Sequence, residues 1–444
     1  MEGILAVRMQ VLGDFWYMMP PKGRKRCRSL TPGVLSNLPD NVIDVILMCL
    51  PCKDAVRTSI LSKKWRYHWC RLTELTLDSS IWKAQDLLNP TVKFTKVIYQ
   101  LLSLHEGPIT KFTLNTALKI TCPTIDNVIY FLSKNQIQDL VLIFPWHERY
   151  KLPSSFFTFS QLRHLILHHC SIHPPPAFQG FDRLTNLVLC EVSISSELLE
   201  SLISHCPLLE ELVLSNPEIL NTVEIDAPML KSFEFRGDIS SICLKNVPLL
   251  VKVSLEGDYM KAEDLDFAKI FESCSFLEFL TLNFFSIKFF AEEGYETPTR
   301  LPYDLAVKQF HLLEIKLVNS YMLANALCLI RSFPYLESPE ILAYGDAKDD
   351  RILESLELEH LSDVTFNHLK EVKLECFSST MPEMQLIKLL LAKSPALVRL
   401  LIDTYYLDKA PLERRLEIFA KVSNFSRASP EAEVVYEKFE FHID

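Results

Sequence analysis

The sequence predicts a mixed α/β fold in which a short all-helical module precedes a long solenoid of strand-and-return repeats. Three observations support this prediction. Apolar residues recur at helical spacing between residues 38 and 51, where Leu50-Pro51 ends the pattern. From residue 72 onward, the pattern apolar, two residues, apolar, one residue, apolar recurs along the chain. Glycine is scarce, with 10 in 444 residues, which argues against Gly-rich phosphate loops and against a glycine-punctuated all-β protein.

Charge and cysteine content restrict the class of protein. Residues 1–71 hold 12 Lys/Arg and 5 Asp/Glu, whereas the remainder holds 34 and 51, so a basic head precedes an acidic body. An acidic body argues against binding to a nucleic-acid backbone and suits a basic protein partner better. The 12 scattered cysteines indicate a reduced, cytosolic or nuclear protein. No apolar run approaches the ~18–20 residues of a membrane span.

Residues 1–35 are expected to form a disordered basic head. Five Lys/Arg crowd into residues 22–28, which is the pattern of a nuclear-import signal and also that of a solvated tail. The import interpretation places the protein in the nucleus and cytoplasm. The start of translation stays open between Met1, Met18 and Met19, because the stretch upstream matches nothing that follows.

Residues 36–71 are predicted to form three short helices. Pro39 suits the first turn of the first helix, and a second helix runs from Asp54 to Leu61. Ser62 can cap a third helix that extends to Trp69. So small a module cannot bury two tryptophans and this many aliphatic residues alone. Its apolar surplus must therefore pack on the next domain or on a partner.

The motifs of this module resemble those of plant F-box proteins, each at the family spacing. The matching elements are Leu38-Pro39-Asp40, Ile46-Leu47, Leu50-Pro51, Asp54-Ala55, residues 57–62 and Trp65-Arg66 with Trp69. The resemblance implies docking on a Skp-type adaptor, which bridges to a cullin. The residues that it places against the adaptor are Leu38, Pro39, Ile43, Ile46, Leu47, Leu50, Pro51, Val56, Ile60 and Leu61. Cys52 departs from the family, which usually has an aliphatic residue there.

Residues 72–360 carry the irregular leucine-rich-repeat pattern, a strand followed by a variable return. Its copies begin at Leu72, Ile109, Ile137, Leu162, Leu184, Leu209, Leu230, Leu250, Leu277 and Leu312, with later ones at Leu369 and Leu397. A degenerate copy at Leu336 contains Pro339, which cannot donate to a strand ladder. Several returns are predicted to be helical. Such units bury their apolar face only by stacking on their neighbours.

Residues 361–440 resemble the FBD domain that closes many plant F-box/leucine-rich-repeat proteins. The matching segments are residues 366–374, 383–391, 393–397 and 427–430. Their pattern predicts a strand, a helix, a strand and a last helix from Leu412 to Val422. These elements are expected to cap the open end of the solenoid, as repeat arrays require.

The sequence contains no catalytic motif, and we predict neither enzyme activity nor a cofactor. It lacks G-x-S-x-G, a Walker loop, G-x-G-x-x-G and H-E-x-x-H. Cys49 and Cys52 form a lone C-x-x-C without a second pair at zinc spacing. A second group has metal-ligand residue types, but alternation along a strand makes its side chains diverge. That group is His164, His168, His169, Cys170 and His173, and we predict no metal there.

These features predict the substrate-recognition subunit of an SCF-type ubiquitin ligase (Skp, cullin and F-box protein), in which the repeats bind an unknown protein substrate. The alternative is a small-molecule, hormone-like receptor on the same architecture. Such receptors have a basic ligand-lined pocket, for which this acidic body offers no obvious equivalent.

The predicted substrate surface is the exposed middle position of four successive strands, which should form an apolar stripe on the concave face. The stripe and its flanking histidines are Val141, Ile166, Val188, Val213, His164 and His168. The same residues also fit a purely structural role, since Val and Ile are good strand formers in any sheet. A loop that covers them would likewise remove them from any interface.

Overall fold

The computed structural model describes residues 35–78, 90–116, 125–147, 149–218, 220, 222–237, 241–257, 270–283, 305–317, 320–344 and 365–438. The chain divides into two compact units, Met1–Leu184 and Thr185–Asp444. The basic run at 22–28, the three candidate start residues and most of a return helix expected over 262–273 lie outside the described residues.

The first unit begins with the helical module. Its elements are 3₁₀ turn Leu35–Asn37, helix α1 (Asp40–Met48), helix α2 (Cys52–Arg57) and 3₁₀ segments Thr58–Ile60 and Trp65–Arg71. Pro39 and Pro51 occupy the N-cap positions of α1 and α2, one residue earlier than Pro usually stands. The third predicted helix is a 3₁₀ segment, whose first backbone N–H, at Trp65, donates to Ser62 Oγ at 3.4 Å.

Trp65 ties the two ends of this module together, and a backbone hydrogen bond joins the module to the repeats. Both Trp65 and Trp69 are buried. The indole N–H of Trp65 donates to the carbonyl of Leu35 at 2.8 Å, which ties the last segment back to the first. Next to Trp69, the carbonyl of Cys70 accepts the backbone N–H of Glu106 at 2.8 Å. The module is therefore continuous with the repeat that follows it.

The repeats of the first unit are parallel strands with helical or irregular returns. The strands are β1 (Glu74–Leu77), β2 (Lys111–Asn115), β3 (Asp139–Ile143), β4 (Tyr150–Lys151), β5 (His164–His168) and β6 (Cys170–Ser171). The helices between them are α3 (Pro90–Leu104) and α4 (Ile125–Ser133). Strands β1, β2, β3 and β5 pair in that order, and the short strands β4 and β6 pair separately.

The leucine spacing explains which side chains enter the core. In β3, Leu140 and Leu142 are fully buried, whereas Val141 between them is half-exposed. A strand turns successive side chains to opposite faces, so every copy of the motif repeats this alternation. Parallel register then stacks Phe112 on Leu140 and Leu140 on Leu165, which gives one continuous apolar core.

The second unit repeats the same arrangement over a longer chain. Its strands are β7 (Asn186–Cys190), β8 (Glu211–Ser215), β9 (Thr222–Asp226), β10 (Ser232–Arg236), β11 (Ser241–Asn246), β12 (Lys252–Glu256), β13 (Phe279–Asn283), β14 (Gln309–Lys316), β15 (Ser338–Tyr344), β16 (Glu371–Glu375), β17 (Arg399–Asp403) and β18 (Glu433–Glu437). Its helices are α5 (Ser196–Ser204), α6 (Ser320–Arg331), α7 (Met381–Lys393) and α8 (Leu412–Ser423). Strands β9 and β11 pair with each other; the others pair in chain order.

A residue in left-handed conformation ends several strands of this unit. Glu191 (φ 50°), Asn216 (φ 45°) and Gly237 (φ 127°) directly follow β7, β8 and β10. The backbone N–H of Asn216 donates to the last carbonyl of β10, that of Arg236, at 2.6 Å. The N–H of Gly237 donates in the same way to Glu256 at the end of β12, at 2.8 Å. Each turn therefore adds one hydrogen bond to the ladder beyond the strand proper.

One expectation about the repeats needs correction, and two further features add to the predicted pattern. The copy expected to begin at Leu312 begins five residues earlier, because Phe310 and Leu312 pair with Leu280 and Leu282. The returns that follow β8 and β10 contain the short strands β9 and β11. Pro339 lies inside β15 opposite Phe310, so the proline removes one donor without preventing the strand.

The end of the chain matches the predicted strand, helix, strand and helix, and adds a last strand. Helix α8 begins at Leu412 as expected, and β18 then pairs in parallel with β17. Buried Asp403 stabilises this end, since its carboxylate accepts the backbone N–H groups of Cys376 at 3.2 Å and Tyr405 at 3.0 Å. Among the described residues, no helix is both long and apolar enough to cross a membrane.

Candidate interaction surfaces

One side of the helical module presents large apolar side chains to solvent. Val45 is 61% exposed and Ile60 is 58% exposed, values that are unusual for such residues in so small a module. We call the whole group the apolar module surface. Its members are Val42, Val45, Ile46 and Met48 on α1 with Ile60 and Leu61 after α2.

Three of the ten residues assigned to the adaptor lie in the core instead, and we correct that assignment. Ile43 and Leu47 are 0% exposed and Val56 is buried. Ile43 and Leu47 stand one helical turn apart and therefore point to the same side of α1, toward the remainder of the module. Of the other seven, Leu38 and Leu50 are half-exposed, and the exposed ones are Pro39, Ile46, Pro51, Ile60 and Leu61.

Val42, Val45 and Met48 were not among the residues predicted to face the adaptor, although the sequence of α1 contains a pattern that indicates their exposure. Helix α1 reads Asp-Asn-Val-Ile-Asp-Val-Ile-Leu-Met, which is apolar on more than one face. A helix that is apolar around most of its circumference needs a covering on two sides. Among the described residues, only the side of Ile43 and Leu47 is covered, and the other side of α1 is exposed.

Ion pairs border the apolar module surface. Lys64 Nζ lies 2.9 Å from Asp40 Oδ1 and donates to the carbonyl of Leu38 at 2.5 Å. The hydrogen bond from Lys64 lowers the pKa of Asp40. Arg57 pairs with Asp54 at 2.9 Å in α2. The surface thus has an apolar centre and a polar edge, the distribution found in protein interfaces.

The first unit contributes half of the predicted substrate stripe. Val141 and Ile166 stand opposite each other in the β3–β5 register, and both are half-exposed. His164 Nε2 lies 3.7 Å from Asp139 Oδ1 at one end of these strands. At the other end His168 pairs in register with half-exposed Ile143, an apolar neighbour outside the predicted stripe.

The second unit contributes the other half. Val188 and Val213 stand opposite each other in the β7–β8 register, again half-exposed. Asn186 donates a side-chain hydrogen bond to Glu211 beside them. The next strand carries Glu234 in register with Val213, so the apolar character ends at β10. The prediction that these residues bind a substrate stays a prediction.

Charged pairs occupy the same face further along the second unit. Lys373 Nζ lies 2.6 Å from Glu340 and also contacts Glu375. Burial raises the pKa of Glu375, and a hydrogen bond with Glu340 raises it further. The middle position of β14 on this face is His311, in register with Thr281. This His311 lies 3.7 Å from Glu340.

The cysteines of the two candidate metal groups differ in burial. Cys52 is buried, which raises the pKa of its thiol to about 11, whereas Cys49 is exposed. Burial likewise raises the pKa of Cys170 to about 12, so neither thiol forms a thiolate ligand readily. Within the described ranges, no group of three or more His, Cys, Asp or Glu side chains could hold a metal ion.

Comparison with known proteins agrees with this architecture. Residues 35–76 match the family model of the F-box domain. Residues 125–341 match the model for the LRR repeats of the FBD-associated F-box protein At5g56370.

Individual relatives come from Arabidopsis thaliana. The F-box/FBD/LRR-repeat protein At1g13570 is 31% identical over 417 residues, which cover 91% of this chain and 99% of the relative. The F-box/LRR-repeat protein At5g02910 is 32% identical over 40% of this chain and 38% of its own length. The F-box/FBD/LRR-repeat protein At5g56420 is 29% identical over 51% of this chain and 55% of its own length. The chain therefore belongs to the F-box/FBD/LRR-repeat family.

Proposed function

We propose that this protein is the substrate-recognition subunit of an SCF-type E3 ubiquitin ligase. Its F-box docks on a Skp-type adaptor that bridges to a cullin, and its repeats hold a protein substrate. The observation that carries the proposal is the apolar module surface, where six large apolar side chains of the F-box are exposed together. The chemistry of ubiquitin transfer belongs to the other subunits.

Physical argument supports an adaptor at this surface. A contiguous apolar group rimmed by charged pairs is costly in water and marks a site that a partner covers. Burying one such side chain contributes about 1.5–3 kcal/mol. The core residues Ile43 and Leu47 meanwhile keep α1 fixed, so the surface is presented in one conformation.

The test replaces an exposed residue with a charged one. We expect Val45→Asp, alone and with Ile60→Asp, to weaken adaptor affinity at least about tenfold, because a carboxylate is placed at a desolvated contact. Binding of the full-length chain to a Skp-type adaptor is measured by surface plasmon resonance. The matched control is Leu416→Asp on α8, since Leu416 is 57% exposed but lies outside the F-box. Equal affinity of Val45→Asp and Leu416→Asp for the adaptor would refute the proposal.

The strand face is the proposed substrate surface. Half-exposed Val141 and Ile166 in the first unit, and Val188 and Val213 in the second, stand in register beside polar residues. Each unit thus has an apolar centre with a polar rim. Val188→Asp, alone and with Ile166→Asp, should reduce capture of cellular partners with the proteasome blocked. Adaptor binding and thermal stability should stay at wild-type level. Unfolding of these variants would assign the residues to the core, and normal capture would place the substrate elsewhere.

The experiment also separates an adaptor from a small-molecule receptor. A protein that captures its partners from a dialysed extract, without added ligand, behaves as the proposal requires. Recovery of capture only after small molecules are returned would favour the receptor.

A further inference from the structure

One segment of the acidic body is locally basic. Residues 147–173 hold three Lys/Arg against a single acidic residue, and they also hold five of the 12 histidines of the chain. The segment spans β4, β5 and β6 and lies wholly within the first unit. Its charge is opposite in sign to that of the residues from 72 onward.

The short strands β4 and β6 place the polar residues of this segment side by side. Tyr150 pairs with Cys170 and Lys151 pairs with Ser171. Leu152, Cys170 and Ile172 point inward and are buried, whereas Lys151 and His173 are exposed. Alternation along β4 turns half-exposed Arg149, directly before the strand, to the same outer side as Lys151. The hydroxyl of Tyr150 donates to the carboxylate of Asp126.

Hydrogen bonds connect this strand pair to the end of the main strands. The backbone N–H of Phe144, just after β3, donates to the carbonyl of His168 at 3.3 Å. The N–H of Tyr150 donates to the carbonyl of His169 at 3.4 Å, and the rings of Phe144 and Tyr150 stack with centroids 4.4 Å apart. These contacts hold Phe144 and Tyr150 next to each other.

Trp146 lies two residues after buried Phe144 and is exposed to solvent. Trp146 is 70% exposed, and its ring meets the ring of His147 edge-on at 5.8 Å. Tryptophan on the surface of a protein is most enriched at the centres of interfaces, together with Arg and Tyr. An exposed indole beside a cationic strand pair combines an apolar anchor with charge, which is the composition of a peptide-binding surface.

We propose that Trp146 and the outer side of β4 and β6 bind an acidic segment of a partner protein that carries an apolar or aromatic residue. Carboxylates of the segment pair with Lys151 and Arg149, and the apolar residue covers the indole of Trp146. The proposal concerns a second contact site and does not rest on adaptor docking by the F-box.

Charge argues for a protein segment over a nucleic acid. A polyphosphate requires many cationic contacts for affinity, whereas this surface has few, and the chain as a whole carries a net charge of −10. An acidic peptide presents only a few carboxylates. The net negative charge of the chain therefore repels it less than it repels a nucleic acid. A short stretch of such a peptide is long enough to contact Trp146, Arg149 and Lys151.

The test uses a fluorescein-labelled Glu-rich peptide with one Leu, and its Gln-rich and Lys-rich counterparts, as probes for the full-length chain. Fluorescence anisotropy should show binding of the Glu-rich peptide that weakens as ionic strength rises. Both Trp146→Ala and Lys151→Gln should weaken binding of the Glu-rich peptide. The loss for Trp146→Ala should be about tenfold. The matched control is Lys134→Gln, because Lys134 lies in the same unit and packs over Tyr130 instead.

Three outcomes would overturn the proposal. These are equal binding of the Glu-rich and Gln-rich peptides, equal effects of Lys151→Gln and Lys134→Gln, and tighter binding of a single-stranded oligonucleotide than of the Glu-rich peptide. If Trp146→Ala lowers thermal stability, Lys151→Gln decides alone, since Lys151 is exposed on a short strand and contributes nothing to the core.

Discussion

The carboxylate of Glu383 accepts the backbone N–H of Thr380 at 2.8 Å, although the Glu383 side chain lies almost wholly inside the protein. It also accepts the N–H of Ser378 at 3.2 Å. The bond from Thr380 belongs to the capping box that Thr380 and Glu383 form at the start of α7. Burial raises the pKa of Glu383 to about 7, although the backbone hydrogen bonds act in the opposite direction.

This raised pKa predicts a pH-dependent stability. The folded state binds the Glu383 proton more tightly than the unfolded state does, so the free energy of unfolding decreases as pH rises from about 4.5 toward 7 and is level above that. The loss is on the order of 3 kcal/mol. Glu383→Gln should remove it. Urea denaturation between pH 5 and 8 measures the difference, with exposed Glu413→Gln as the control, and parallel curves for wild type and Glu383→Gln would contradict the prediction.

Neighbouring residues of α1 should differ sharply in their effect on stability. Leu47→Ala removes a fully buried side chain and should lower the free energy of unfolding by about 2–5 kcal/mol. Met48→Ala removes an exposed one and should change it by less than about 0.5 kcal/mol. Chemical denaturation of both variants checks the division of α1 into a core side and a partner side. Similar losses would mean that both residues belong to the core.

The turn after β10 should accept no side chain. Gly237 has φ 127°, and an added Cβ would lie 3.2 Å from Asn216 Oδ1 and 3.3 Å from Asn216 Cα. Gly237→Ala should therefore lower the free energy of unfolding by about 1–3 kcal/mol. Asn216→Gly, at φ 45°, should change the free energy of unfolding by less than about 1 kcal/mol. Glycine removes the backbone strain of the folded state, but it also raises the conformational entropy of the unfolded chain, and the two effects oppose each other. Thermal melting measures both losses. If the turn tolerated a side chain, Gly237→Ala would lower the melting temperature less than Asn216→Gly.

The basic run at 22–28 predicts nuclear import. Replacing Arg24, Lys25 and Arg26 with Gln should shift a fluorescently tagged protein toward the cytoplasm, measured as the nuclear-to-cytoplasmic intensity ratio. A variant with Gln at Lys111, Lys134 and Lys252 removes the same charge elsewhere and should leave the ratio unchanged. An unaltered ratio in the first variant would identify the run as a solvated tail.

The alternation of strand side chains could be predicted because it is local. Leu140 and Leu142 point to one face of β3 and Val141 to the other whatever lies beyond them, so the motif alone identified the buried leucines. Helix α8 followed in the same way from its own periodicity. The sequence also determined the family resemblance, since the F-box elements stand at fixed distances along the chain.

Only the tertiary structure decided which apolar residues stay exposed. Ile43 and Val45 are equally apolar, and their difference arises because Trp65 and its neighbours cover one side of α1. Parallel pairing likewise set the register of β14, where Phe310 rather than Ile315 aligns with Leu280. Contacts between distant segments placed Trp146 beside β4 and β6, and no local pattern contains that information. Periodicity specifies the faces of an element, whereas packing between elements specifies which face remains for a partner.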